Sequence, residues 1–196
     1  GKIKNILNGN DIENGIASIL CERQIPDAFP DKVIKEAELL NKDFQAEKKN
    51  RVDLTKKIIF TIDGSDAKDL DDAVSIEKDG DEYILSVHIA DVGQYVKYNS
   101  ELDKEAFIRG TSVYLPGRVY PMLPERISND LCSLNANEEK LTLSVEMNLD
   151  KFGVVKSYKI YESVIKSSAR LTYDQVFEIF QKSAEKVEKK QANSSK

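Results

Sequence analysis

One stretch limits what this chain can become. Ile58-Ile59-Phe60-Thr61-Ile62-Asp63-Gly64-Ser65-Asp66-Ala67-Lys68-Asp69-Leu70-Asp71-Asp72-Ala73-Val74-Ser75-Ile76 places five aspartates within ten positions. The flanking runs Ile58 to Ile62 and Ala73 to Ile76 are apolar and β-branched, so they read as buried strands joined by an acidic loop. Carboxylates this close repel one another, and keeping them ionised calls for a positive partner. A hard divalent cation serves best: Mg²⁺ and Mn²⁺ prefer oxygen ligands, and Mg²⁺ completes its shell with water and substrate phosphate. The stretch therefore points to metal-assisted phosphate chemistry.

Simpler readings fit less well. An Asp-rich turn is often only a solvated loop, but five aspartates pinned between apolar strands exceed what a turn needs. A calcium EF-hand fails on spacing: from Asp69, Val74 stands where Gly is required and Gly80 occupies the twelfth position. The haloacid-dehalogenase phosphatases also end an apolar strand in Asp, but they need a second Asp two positions later, where this chain has Ser65.

The 196 residues suit one domain or one and a half, and 40% hydrophobic residues supply a core. Cys21 and Cys132 lie far apart and His88 is the sole histidine, which excludes a zinc constellation; both cysteines are expected to be reduced and buried. Gly1 to Asn10 lacks the apolar core of a signal peptide, and no run approaches the ~18 apolar residues of a membrane span. The expected location is the cytoplasm, with no membrane partner. A net charge of −5 argues at face value against nucleic acid. Much of it sits in the aspartate cluster, however, and Arg109, Arg118, Arg126 and Arg170 follow, so charge balance alone decides nothing.

In chain order, Ile12, Ile16, Ile19 and Leu20 have helical spacing with Asp11 as a cap, and Ile25-Pro26 and Phe29-Pro30 force an extended passage. A second helix is expected from Asp31 to about Lys42, with Val33, Ile34, Ala37, Leu39 and Leu40 on one face, followed by a solvated linker over 41–51. Asp79-Gly80-Asp81-Glu82 joins two strands as a hairpin, and the second strand runs to Asp91, a sixth carboxylate near the other five. His88 alternates with apolar neighbours and reads as a core or supporting residue rather than a general base. Ser100 to Gly110 reads as a capped helix. Thr111 to Leu134 reads as loop, presenting Tyr114 and Tyr120 in turns; such tyrosines either stack on unpaired bases or pack beneath the loop. Leu141 to Leu149 and Val154 to Ile165 form a second hairpin, and a helix from Thr172 runs into a polar end. The fold class expected is α+β, with mixed hairpins around the acidic loop and helices before and between them.

Several of these segments carry a resemblance. Thr61 to Val74, Val87 to Val92, Tyr114-Leu115-Pro116-Gly117, Pro121 to Pro124, Leu131-Cys132-Ser133-Leu134 and Ala169 to Asp174, in this order and spacing, resemble the RNB domain of the ribonuclease II and ribonuclease R family, with the ribonuclease R branch the closer. The resemblance runs from about residue 12 to 180. It implies a hydrolytic 3′→5′ exoribonuclease that uses divalent metal, usually Mg²⁺, to release nucleoside 5′-monophosphates from single-stranded RNA. It places the family's active-site aspartates on Asp63, Asp69, Asp71 and Asp72, gives Asp66 no such role, and puts a base-stacking tyrosine at Tyr114. Asp71 is the residue expected to matter most to the chemical step, the others serving as direct or water-mediated ligands.

The resemblance also implies boundaries: 1–22 as the tail of a cold-shock-type barrel, 23–50 as a helical linker, 51–180 as the first half of the RNB domain, and 181–196 as a disordered end. On this reading the segment lacks the family's later catalytic Arg and Glu and is inactive by itself. It also exposes apolar surface through which it self-associates. Two other functions stay open: a non-catalytic RNA-binding or structural segment, and a metal-dependent phosphohydrolase of another family.

Overall fold

The computed structural model describes residues 9–194, with side chains through residue 183. In chain order the elements are α1 (Asp11–Glu22), α2 (Asp31–Leu39), the single turn α3 (Gln45–Lys48), β1 (Val52–Asp53), β2 (Phe60–Asp63), β3 (Asp72–Asp79) and β4 (Glu82–Ala90). They continue with α4 (Glu101–Arg109), β5 (Val113–Leu115), β6 (Arg118–Tyr120), β7 (Glu139–Leu149), β8 (Val155–Lys166), β9 (Ala169–Thr172) and α5 (Tyr173–Ser194). The class is α+β. Two compact units divide the chain discontinuously: 1–40 with 95–127, and 41–94 with 128–196.

The first unit holds α1, α2, α4 and the β5–β6 hairpin. α1 is capped by Asn10, whose side chain accepts from the Glu13 N–H while Glu13 reaches back, so the cap lies one residue before the expected Asp11. Nothing on α1 is buried, which leaves Cys21 exposed rather than buried as expected. α2 buries Val33 and Ala37 but stops at Leu39, three residues short of the expected end; Leu39 itself faces solvent. The Arg126 guanidinium explains the stop by donating to the Ala37 and Leu40 carbonyls at 2.9 and 2.7 Å, satisfying the helix's last acceptors. Arg109 ties the unit together: it donates to the carbonyls of Pro26, Ala28 and Pro121, pairs with Glu105 and stacks on Phe29. The stretch after Gly110 is not all loop. Tyr114 lies on β5, with Pro116 and Gly117 turning the chain into β6.

The second unit is a seven-stranded sheet in the order β1-β8-β7-β4-β3-β2-β9, antiparallel except for the parallel pairs β1–β8 and β2–β9 at its edges. Both expected hairpins form. Gly80 supplies φ +60° between β3 and β4, and the Asp150 carboxylate accepts from the Phe152 and Val154 N–H groups between β7 and β8. α3 interrupts the expected linker.

Register shows an unusual division of the sheet. Ser75, Ser86, His88, Ala90, Thr142, Ser144 and Ser163 fall on one face and are buried. The other face carries the rows Val74–Val87–Val145–Ile160 and Ile76–Leu85–Met147–Tyr158, and Ile76, Ile89, Leu143, Tyr158 and Ile160 on it are exposed. On the sealed polar face His88 Nδ1 lies 2.6 Å from Ser144 Oγ, Nε2 lies 3.3 Å from Ser75 Oγ, and Ser163 Oγ bonds both Ser144 and Thr142, whereas the buried Thr61 hydroxyl on the same face makes no hydrogen bond of good geometry among the described residues.

At the ends, residues 1–8 of the expected barrel tail lie outside the described residues, and the described remainder carries α1, the helix that its apolar spacing predicts. The expected disordered end is helical to Ser194, in keeping with its helix-favouring Ala, Glu, Lys and Gln; residues 195 and 196 lie outside the described residues. The Thr172 hydroxyl accepts from the Gln175 N–H while Gln175 Oε1 accepts from the Thr172 N–H, a capping box that starts α5.

Candidate active site

The two central strands of the acidic stretch deliver its aspartates differently than their spacing suggests. Asp63 is the last residue of β2 and Asp72 the first of β3, so both sit on strand ends, and only Gly64 to Asp71 is loop. The strands are adjacent, pairing at Phe60 and Val74.

The loop is held through its backbone. Arg170 Nη2 donates to the carbonyls of Gly64, Ser65 and Ala67 at 3.1, 3.0 and 2.7 Å. Ser133 Oγ donates to the Lys68 carbonyl and accepts from the Leu70 N–H, while the Leu134 N–H reaches the Leu70 carbonyl. The Ala90 N–H, at the end of β4, donates to the Asp71 carbonyl. Leu70 is buried and anchors the middle of the acidic run. The segments Leu131 to Leu134 and Ala169 to Asp174 thus act on the loop from 63 and more than 100 residues away, contacts that no local spacing announces.

Electrostatics inside the loop are unfavourable. Desolvation holds the Asp63 carboxyl above its ordinary range; the Thr61 hydroxyl and Arg170 pull it back, and Asp72 and Asp69 push it up. Asp71 keeps an exposed surface, yet partial desolvation and then Asp69, Asp72 and Asp63 raise it too. Asp63 Oδ2 and the neighbouring Thr61 hydroxyl are both buried, and neither makes a hydrogen bond of good geometry among the described residues. This oxygen-only donor set with one unsatisfied carboxylate oxygen suits a hard divalent cation. Among the described residues, no group of three or more His, Cys, Asp or Glu side chains is placed to hold a metal ion.

Other candidates play other parts. Asp91, expected as a sixth carboxylate near the other five, directly follows Ala90, whose N–H reaches the Asp71 carbonyl, and it pairs with the buried Arg51 guanidinium at 2.5 Å. His88 is sealed in the sheet, and burial lowers it to about 4, so it is a neutral core residue. Burial pushes the Cys132 thiol up to about 12, leaving it inert. Asp66 is exposed on the loop. In the first unit the two tyrosines take opposite fates: Tyr120 is buried and Tyr114 is 62% exposed. Of the four arginines that follow the acids, Arg109, Arg126 and Arg170 direct N–H groups at backbone carbonyls and keep their charge.

Comparison with known proteins agrees with this arrangement. The RNB domain profile matches residues 51–196. Ribonuclease R of Thermotoga maritima is 49% identical over 172 residues, covering 85% of this chain and 24% of that protein. The structure of Mycoplasma genitalium RNase R in complex with ribose methylated single-stranded RNA matches with a TM-score of 0.84 and 38% identity, covering 89% of this chain and 27% of that one. Yeast Ssd1, a pseudonuclease, matches with a TM-score of 0.64 and 27% identity over 69% of this chain and 17% of that one. The chain spans about a quarter of the length of the curated relatives it matches. Through the braced acidic loop and a profile match across most of its length, this chain belongs to the RNB domain family.

Proposed function

We propose that the protein containing this chain is a 3′→5′ exoribonuclease that hydrolyses single-stranded RNA to nucleoside 5′-monophosphates with Mg²⁺, or Mn²⁺ in its place. The observation that carries this reading is the cluster of Asp63, Asp69, Asp71 and Asp72 on two adjacent strand ends and one clamped loop, with a buried Asp63 oxygen left unsatisfied. The relative that matches at a TM-score of 0.84 is itself an RNase R complexed with RNA. A cytoplasmic location belongs to the same proposal; no helix among the described residues is long and apolar enough to cross a membrane.

Asp63, Asp69, Asp71 and Asp72 are the residues that would hold the divalent ions. The chemistry supplied there is activation of a water and stabilisation of the leaving 3′ oxygen. The chain's own part is orientation. The loop clamps keep four mutually repelling carboxylates on one short segment and Leu70 anchors it into the core; in the other unit, the exposed ring of Tyr114 offers a stacking face for an unpaired base. On this reading substrate phosphate completes the metal's shell, so metal affinity without RNA is weak.

A non-catalytic role is the second reading, supported by the likeness to a pseudonuclease. Mononucleotide release from 3′-labelled single-stranded RNA with Mg²⁺, measured for the full-length protein and for these 196 residues, separates the two. Metal-dependent release of nucleoside 5′-monophosphates by the full-length protein, with little or none from the 196 residues, is the expected result. No release from the full-length protein under any divalent ion overturns the nuclease reading.

A further inference from the structure

Four carboxylates that repel one another lie on one compact loop and its two strand ends. The loop backbone is held from outside: five polar groups of Gly64 to Leu70 are bound by two side chains from distant segments, Arg170 and Ser133. We propose that Arg170 is a positioning residue that sets the path of the loop between Asp63 and Asp69, with Ser133 fixing the part between Lys68 and Leu70.

The topology explains why Arg170 can do this. β9 runs parallel to β2, and the register pairs Arg170 with Thr61 and Thr172 with Asp63. Residues paired in this way, and those two apart on one strand, share a face of the sheet, so the Arg170 side chain rises on the same side as Asp63. From there Nη2 reaches three carbonyls of the segment immediately after Asp63. Those carbonyls fan around one nitrogen, Nη2, which the guanidinium carries about one bond further from the backbone than a lysine carries its ammonium, so lysine keeps the charge but falls short of the three acceptors. The arginine therefore adds both geometry and a positive charge beside the acids. Ser133 acts as donor and acceptor at once, so its loss frees a carbonyl and an N–H together.

The kinetic arm of the test rests on the nuclease reading; the exchange arm does not. Hydrogen exchange of amides 65–72 and steady-state hydrolysis of single-stranded RNA are measured on the full-length protein and its R170K, R170M and S133A variants. R170K is expected to raise exchange of amides 65–69 by about tenfold, since local opening sets that rate. It should lower kcat on the order of 10²-fold through misplacement of the carboxylates, while KM for RNA stays within about twofold. S133A should raise exchange nearer Leu70 and lower kcat less. Two results overturn the proposal: R170K exchanging its loop at the wild-type rate, or R170K raising KM while loop exchange and kcat are unchanged, which would make Arg170 an RNA contact. If the wild-type protein hydrolyses no RNA, the nuclease reading falls and loop exchange alone still decides the role of Arg170.

Discussion

Asp71 and Asp63 carry most of the chemistry proposed here, and their surroundings make different demands on substitution. Asp71→Asn keeps the side-chain shape while removing one charge and a strong oxygen donor. RNA affinity is spread over backbone contacts and stacking, so in the full-length protein the variant should hold RNA with unchanged Kd while kcat falls on the order of 10²-fold or more. Asp66→Asn should leave kcat near wild type; the reverse pattern would move the site one register along the loop. Acidity gives a second check. Because Asp63 and Asp71 are held above the ordinary carboxylate range, protons compete with cations for them at unusually high pH. Calorimetric Mn²⁺ affinity should therefore begin to fall, on acidification, at a higher pH than for an ordinary carboxylate site, and Asp63→Asn should remove part of that displacement.

At the scale of elements, the strands flanking the acids, both hairpins and the capped α4 were legible, because each is written in local alternation, turn residues or a cap. β9 was not legible: it is four residues long and pairs with β2 from more than a hundred residues away. The clamps from Ser133 and Arg170 were hidden for the same reason. Tyr114 was placed in a turn because Pro116-Gly117 dominates its neighbourhood, whereas the turn serves a short hairpin that includes the tyrosine. The alternation in Leu143-Ser144-Val145 and Leu85-Ser86-Val87 correctly gave strands but not which face is covered. The buried imidazole offers a test of that assignment. His88 is neutral in the fold and held near 4, below its unfolded value of ~6.5, so the unfolded chain binds more protons between those limits. Its contribution, about 3 kcal/mol, is present above pH ~6.5 and is lost as pH falls toward 4. Asp63 and Asp71, shifted upward, act in the opposite sense and become less costly as pH falls. Denaturant unfolding at a series of pH values should show a smaller acid loss for His88→Gln than for the wild-type chain; an identical slope would exonerate the imidazole.

Across the whole molecule, the division into two discontinuous units was not legible, since 95–127 joins the first forty residues and leaves the flanking segments to a common sheet. That sheet presents Ile76, Leu143, Tyr158 and Ile160 outward, and β8 is covered by β1 only at Ser163 and Val164, leaving the edge of 155–162 open in its unit. The 196 residues by themselves should therefore sediment with a concentration-dependent coefficient, and the pair of changes Tyr158→Lys and Ile160→Lys should abolish the dependence without lowering Tm by more than a few degrees. A coefficient independent of concentration in the unaltered chain would show that this surface tolerates water. The sealed side of the same sheet bears on temperature. Heat capacity rises when hydrocarbon becomes hydrated and falls when hydroxyls and amides do, and unfolding here releases serines, a threonine and an imidazole where most sheets release valine and leucine. The stability curve of this unit should accordingly be broad and shallow, with a smaller unfolding ΔCp than its length implies and little loss of stability on cooling.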